Sequence, residues 1–214
     1  TNVPQANQTN ISKIKPTGDA IGGLAVFNDA IRDGLKGSVF SATSKGYISG
    51  NTNSDLIAKV QFGIRGGTGA GIGWTVKDGM VVNYMSAHDN NTLWDKLLLS
   101  NPENTEEERV AMNKLGAAIL MISRGMPFFQ AGEEMLRTKD GDENSYKSSD
   151  AINNIDWEAL SNENVYQTML YYKGLIEMRK AYSIFYSNTA YISFTSIGNN
   201  GAMAIRYRYH TSKQ

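Results

Sequence analysis

From residue 80 onward the hydrophobic and polar positions fall into two alternating periods. "MVVNYM", residues 80–85, is a short, nearly unbroken apolar run and predicts a buried strand. "TEEERVAMNKLGAAILMISRG", residues 105–125, shifts to a helical period. Thr105 and Glu108 stand in capping-box relation, the first turn is acidic, and Gly125 follows the end. Val110, Lys114, Ala117 and Met121 form one stripe, with Leu115, Ala118 and Ile122 beside it, so this helix is expected to pack on a neighbour. "MPFFQAG" predicts a second strand. A second helix follows from about Asn164 to Tyr182, with Val165, Met169, Tyr172 and Ile176 inward and Arg179 and Lys180 in its last turn. Upstream, the apolar run "GGLAVF" leads into alternating charges, and residues 41–79 are loop-rich with one short helical segment near Ser54 to Val60.

Strand, helix, strand, helix predicts an α/β fold with parallel strands joined by crossover helices. Such folds work at the carboxyl ends of their strands. His88 and Asp89 follow one strand, and Gly132, Glu133 and Glu134 follow the next, so two strands deliver polar residues to one face. After about residue 187 the period becomes two on both sides of "GNNG". Asn200-Gly201 predicts a two-residue hairpin turn, because both central residues of that turn need positive φ. Residues 1–186 are therefore expected to form one unit, and residues 187–214 the first hairpin of an incomplete antiparallel domain.

Composition narrows the chemistry. The 214 residues carry 21 Lys+Arg and 21 Asp+Glu, a balance that points away from nucleic acid and from a charged membrane surface. No apolar run is long enough to span a bilayer. Cysteine is absent, which removes disulfides and thiolate chemistry, and the second of two histidines, His210, lies far along the chain, so no multi-histidine metal site forms. The run "GIRGGTGAGIG" fits neither dinucleotide nor phosphate-loop spacing and reads as a flexible loop. No nucleophile-elbow pattern supports a Ser-His-Asp triad.

Carboxylates acting on a neutral, polar substrate remain. His88-Asp89-Asn90 sits at a strand end, where Asn90 or Asn91 could equally serve as a cap for the next helix. "AGEEMLRTKDGDENSY", residues 131–146, mixes acids, amides and an aromatic ring in a turn-rich loop, a blend that suits sugar hydroxyls and ring faces, although most of it reads as a solvated loop. Trp74, Trp94 and Trp157 fit either a core or a sugar platform. Glycoside hydrolysis needs two carboxylates, and the residues alone nominate Asp89 with Glu133 or Glu134.

Three segments together resemble the α-amylase superfamily, and within it the type I pullulanases of glycoside hydrolase family 13. They are "FNDAIRDGLKGSVF", "VNYMSAHDNNTLWDKL" and "GMPFFQAGEEMLRTKDGDENSYKSSDAINNIDW". The resemblance implies the last strand–helix units of a (β/α)8 barrel followed by the start of a β-sandwich, in an enzyme that cleaves α-1,6-glucosidic branches with retention. By that resemblance Asp89 stabilises the oxocarbenium-like transition state, His88 hydrogen-bonds the same sugar, Asn90 matches the amide that follows this pair, and Arg137 and Asp142 contact the next sugar. Glu133 and Glu134 become structural, and the nucleophile and acid/base are expected before Thr1. The implied partner is an α-glucan such as pullulan, starch or glycogen. No cofactor is implied by these residues; calcium in a longer enzyme finds no support in them. The isolated chain is expected to be inactive and to self-associate or bind its complementary amino-terminal part. Isoamylase-like, branching or transglycosylating activity, and a non-catalytic carbohydrate-binding role, stay as alternatives.

Overall fold

The computed structural model describes residues 25–68 and 78–209. Trp74, His210, the polar amino-terminal segment and residues 69–73 of the glycine run lie outside them. In chain order the elements are β1 (Val26–Phe27), α1 (Asp29–Lys36), α2 (Ser54–Ile64), β2 (Val81–Tyr84), α3 (Leu93–Ser100), α4 (Glu106–Ile122), β3 (Met126–Phe128), α5 (Asp150–Asn153), α6 (Glu163–Ala181), β4 (Ala190–Ile197) and β5 (Ala202–Tyr209). Among the described residues no helix is long and apolar enough to cross a membrane.

β1, β2 and β3 form a parallel sheet in sequence order, with Val26 opposite Val81 and Tyr84 opposite Phe128. Each crossover is helical, as parallel strands require. Strand alternation divides the residues of β2. Val81 and Asn83 are fully buried. Asn83 Nδ2 donates to the carbonyls of Gly63 (2.9 Å) and Arg124 (2.8 Å), while its Oδ1 accepts from Asn28 Nδ2 at 2.9 Å. This one amide ties β2 to the ends of α2 and α4, a polar core residue that the apolar reading of "VVNY" does not anticipate. On the other face Phe27, Tyr84 and Phe128 form an edge-to-face aromatic row with centroids 5.0, 5.5 and 6.5 Å apart.

The main core lies between the sheet and its helices, where Ile31, Leu35, Val60, Ile64, Met85, Leu93, Leu97, Ile119 and Leu120 meet. α4 forms with the expected capping box, Thr105 and Glu108 each bonding the other's backbone N–H. Its buried stripe of Val110, Ala117 and Met121 agrees with the pattern, but Leu115 is 43% exposed and the second buried row is Asn113, Gly116, Ile119 and Leu120. The cause is steric: a side chain at Gly116 would collide with buried Met85, so the closest approach of α4 to the sheet falls on the glycine side. α6 likewise buries Val165, Thr168, Tyr172 and Leu175, with Met169 and Ile176 half-buried beside them. Near its end Arg179 donates to the carbonyls of Met121, Ser123 and Gly125, absorbing the backbone acceptors between α4 and β3.

The hairpin departs from expectation at its turn. Ile197 pairs with Ala202, leaving a four-residue loop, and positive φ falls on Gly198 and Gly201 while Asn200 avoids it. The two outer glycines take the left-handed conformation, which costs them no Cβ clash. One face of the hairpin, with Ile192, Phe194, Met203, Ile205 and Tyr207, packs on the main core. Tyr207 donates to the Ile122 carbonyl, and the Arg65 guanidinium sits 4.6 Å from the Phe194 ring centroid. These contacts stabilise two strands that would be marginal alone.

Candidate active site

Two loops follow strand ends, residues 85–92 after β2 and residues 129–149 after β3, and a third, residues 37–46, follows α1. They enclose an open cleft of about 490 Å³, lined by Val39, Phe40, Ala42, Asp89, Asn90, Glu143 and Asn144.

The middle loop is built on a left-handed residue. Asn90 has φ 64°, a conformation asparagine tolerates better than most residues. It turns the chain so that Ser86 and Asn91 go inward while His88 and Asp89 stay in solvent, their side chains 88% and 77% exposed. His88 Nε2 is 3.5 Å from Asp89 Oδ1. The helix that follows is capped by Thr92, whose Oγ1 accepts from Asp95 N at 3.1 Å. Neither Asn90 nor Asn91 caps it, so the capping reading of these amides is replaced. Asn90 lines the cleft, and Asn91 is buried with its Oδ1 unpartnered.

The loop after β3 divides its acids. Glu133 turns inward and is 4% exposed; its Oε1 accepts from Tyr172 OH at 3.3 Å, and Asn113 Nδ2 donates to its carbonyl at 3.4 Å. Burial pushes its carboxyl up to about 8, against the opposing pull of the Lys36 ammonium. Lys36, itself buried, is lowered to about 8 by the same loss of water. Glu134 folds back to accept from Gly132 N at 3.0 Å. The strand-end acids are therefore not gathered in one cleft: Asp89 faces solvent, while Glu133 and Glu134 are engaged with tyrosine and backbone.

Arg137 donates to the carbonyls of Ala131 and Asn153, and it borders a different cavity of about 320 Å³, between residues 135–140 and 151–159. Asp142 accepts from Ser148 Oγ and Asn144 N, bonds that hold its carboxyl below the usual carboxylate range. It thereby shapes the turn that brings Glu143 and Asn144 to the cleft. Of the residues singled out by sequence, Asp89 and Asn90 line the cleft, His88 adjoins Asp89, and Arg137 and Asp142 hold the loop nearby. Phe40 was missed. It is 91% exposed at the cleft, and only its place in "KGSVF" after a charged helix could have drawn notice. Trp157 is 67% exposed on the surface, and Trp94 packs half-buried against the core. Among the described residues no cluster of His, Asp and Glu is arranged to hold a metal ion.

A parallel sheet whose strand-end loops bring two carboxylates and two amides to one cleft, beside an aromatic ring from the loop after α1, defines an α/β protein with its polar site at the strand ends. Comparison with known proteins narrows this class. No family model matches the chain. The pullulanase of Bacillus subtilis (strain 168) is 37% identical over 169 residues, covering 76% of this chain and 22% of that protein. The isoamylase of a Flavobacterium species is 28% identical over 141 residues, 55% of this chain and 18% of that protein. Among solved structures, the pullulanase from Paenibacillus barengoltzii in complex with maltohexaose and α-cyclodextrin superposes with a TM-score of 0.81 at 37% identity, over 91% of this chain and 30% of that one. The type I pullulanase from Bacillus subtilis str. 168 complexed with maltose does so with a TM-score of 0.80 at 29% identity, over 99% of this chain and 29% of that one. The resemblance to the type I pullulanases, glycoside hydrolase family 13, thus holds over most of the chain, which spans less than a third of the length of these relatives.

Proposed function

We propose that the chain is part of a debranching glycosidase that hydrolyses α-1,6-glucosidic bonds in pullulan, starch or glycogen. In this reading the three parallel strands are the last strand–helix units of a (β/α)8 barrel, and residues 187–214 begin a β-sandwich. The observation that carries the proposal is the pairing of Asp89 and Asn90 with Phe40, Glu143 and Asn144 around one open cleft at the strand ends. A sugar needs charge near its anomeric carbon, amides for its hydroxyls and an apolar surface for its ring face, and these side chains supply all three.

Asp89 takes the role of stabilising positive charge as the glycosidic bond breaks with retention. His88 and Asn90 hydrogen-bond the sugar held there, and Arg137 and Asp142 serve the adjoining subsite through the loop they brace. By the same resemblance the nucleophile and the acid/base lie before Thr1, and the engagement of Glu133 and Glu134 with tyrosine and backbone supports a structural role for both. Two measurements test this. Titration of the chain with maltooligosaccharides should show binding, and a reducing-sugar assay on pullulan should show no turnover until the complementary segments are supplied. Turnover by the chain alone would return the acid/base role to Glu133 or Glu134. Absence of any oligosaccharide binding would remove the cleft from consideration.

A further inference from the structure

Helix α3 begins four residues after Asp89 and touches both of the other loops that form the cleft. Two adjacent residues make the contacts, Asp95 and Lys96, each 2% exposed. Asp95 Oδ1 accepts from Thr138 Oγ1, and its Oδ2 accepts from Lys139 N at 2.8 Å. Lys96 turns the other way. Its Nζ donates to the carbonyls of Ser38 (3.2 Å), Ala42 (3.0 Å) and Ser41, and meets Ser44 Oγ at 3.1 Å. One ammonium therefore gathers four oxygens from seven consecutive residues.

This convergence has a physical meaning. A buried lysine is costly unless its three N–H groups are matched, and bonds from a charged donor are stronger than neutral ones. The carbonyls of Ser38, Ser41 and Ala42 would lose their shared donor without it. The same segment carries Val39, Phe40 and Ala42 to the cleft, and Phe40, at 91% exposure, has little packing of its own to fix it.

We propose that Lys96 is a positioning residue for the substrate cleft: by binding the carbonyls of Ser38, Ser41 and Ala42 it holds the loop that presents Phe40 beside Asp89 for stacking on an α-glucan ring. The glucan half of this rests on the function proposed above; the loop half does not.

The test uses the full chain and four variants: Lys96→Met, Phe40→Ala, their double, and the milder Ser44→Ala. Amide hydrogen exchange and maltotetraose titration are the readouts. In Lys96→Met the amides of Ser41 and Ser44 should exchange at least about ten-fold faster while those of β2 and α4 keep their rates, because a local anchor opens a local unit. Ser44→Ala should move the same amides in the same direction by less, and it serves if Lys96→Met fails to fold. Maltotetraose affinity should fall about three- to ten-fold in Lys96→Met and in Phe40→Ala, and the double variant should fall no further than the worse single, as for two groups acting as one. Unchanged exchange at Ser41 and Ser44, or a rise spread over the whole fold, overturns the anchor. Additive losses of affinity overturn the link to Phe40. If the unaltered chain binds no maltotetraose, the functional reading of the cleft fails, while the exchange rates still decide whether Lys96 holds the loop.

Discussion

Asp89 and Glu133 follow adjacent strands of one sheet, yet water makes them different groups. Asp89 stays solvated; Glu133 is buried, and its carboxyl holds a proton up to about 8. The sequence shows both as acids after a strand, and only the paths of the two loops separate them. Asp89→Asn, placed in an enzyme carrying this chain, is expected to cut pullulan turnover by roughly two orders of magnitude or more with the melting temperature unchanged, as when a charge acting on the transition state is removed. Near-normal turnover would exclude the assigned role. His88→Ala should be milder, about 1 kcal/mol or roughly five-fold, the scale of one hydrogen bond to a neutral group. Glu133 predicts a pH effect on stability. Its folded carboxyl lies above the ordinary 4.5, so the folded state keeps a proton that the unfolded chain releases. That contribution is complete below about 4.5 and is lost as pH rises toward about 8. Glu133→Gln cannot release a proton, so thermal melts between pH 5 and 7.5 should show the unaltered chain losing stability relative to the variant.

At the scale of elements, legibility follows how local the determining interactions are. α4 could be read almost completely because its start is written in a capping box four residues long and its bulk in a 3.6-residue period. Which face it buries was read only in part, since Gly116 faces Met85 from another element. The hairpin turn shows the same limit: "GNNG" signals a turn, but strand pairing places Gly198 and Gly201, not Asn200 with Gly201, in the positive-φ positions. The loop that carries Phe40 is stitched at its base by a close backbone approach. A Cβ at Gly46 would overlap the Leu35 carbonyl and the Gly37 amide, neither of which can move aside. Gly46→Ala should therefore cost about 1–3 kcal/mol, the range for forced overpacking. For a chain of this size that is a melting-temperature drop on the order of 2–10 °C. An unchanged melt would mean that this loop is not tied to α1 as described.

At the scale of the whole molecule, burial is one-sided. The helix face of the parallel sheet is covered, while on the opposite face Phe27 is 44% and Phe128 38% exposed beside Tyr84. Adjacent exposed aromatics at a sheet surface favour association. The purified chain is expected to show a concentration-dependent increase in apparent mass by light scattering, and Phe27→Ser with Phe128→Ser should reduce it. A monomer at all concentrations would contradict this. The hairpin has the opposite character. Its apolar face packs on the main core through Phe194, Ile205 and their neighbours.

The sequence by itself determined the parallel strand–helix order, the capped start of α4, and the place of His88, Asp89 and Asn90 beyond a strand end. Each rests on contacts between residues near in the chain, or on motifs long enough to resemble a family. Tertiary structure alone decided which acids keep their water, that Phe40 borders the cleft with Asp89, and that Asp95 and Lys96 tie two loops to one helix. Those outcomes depend on distant groups meeting in space, Glu133 with Tyr172 across 39 positions and Lys96 with Ser38 across 58, and no local period or turn residue encodes such a meeting.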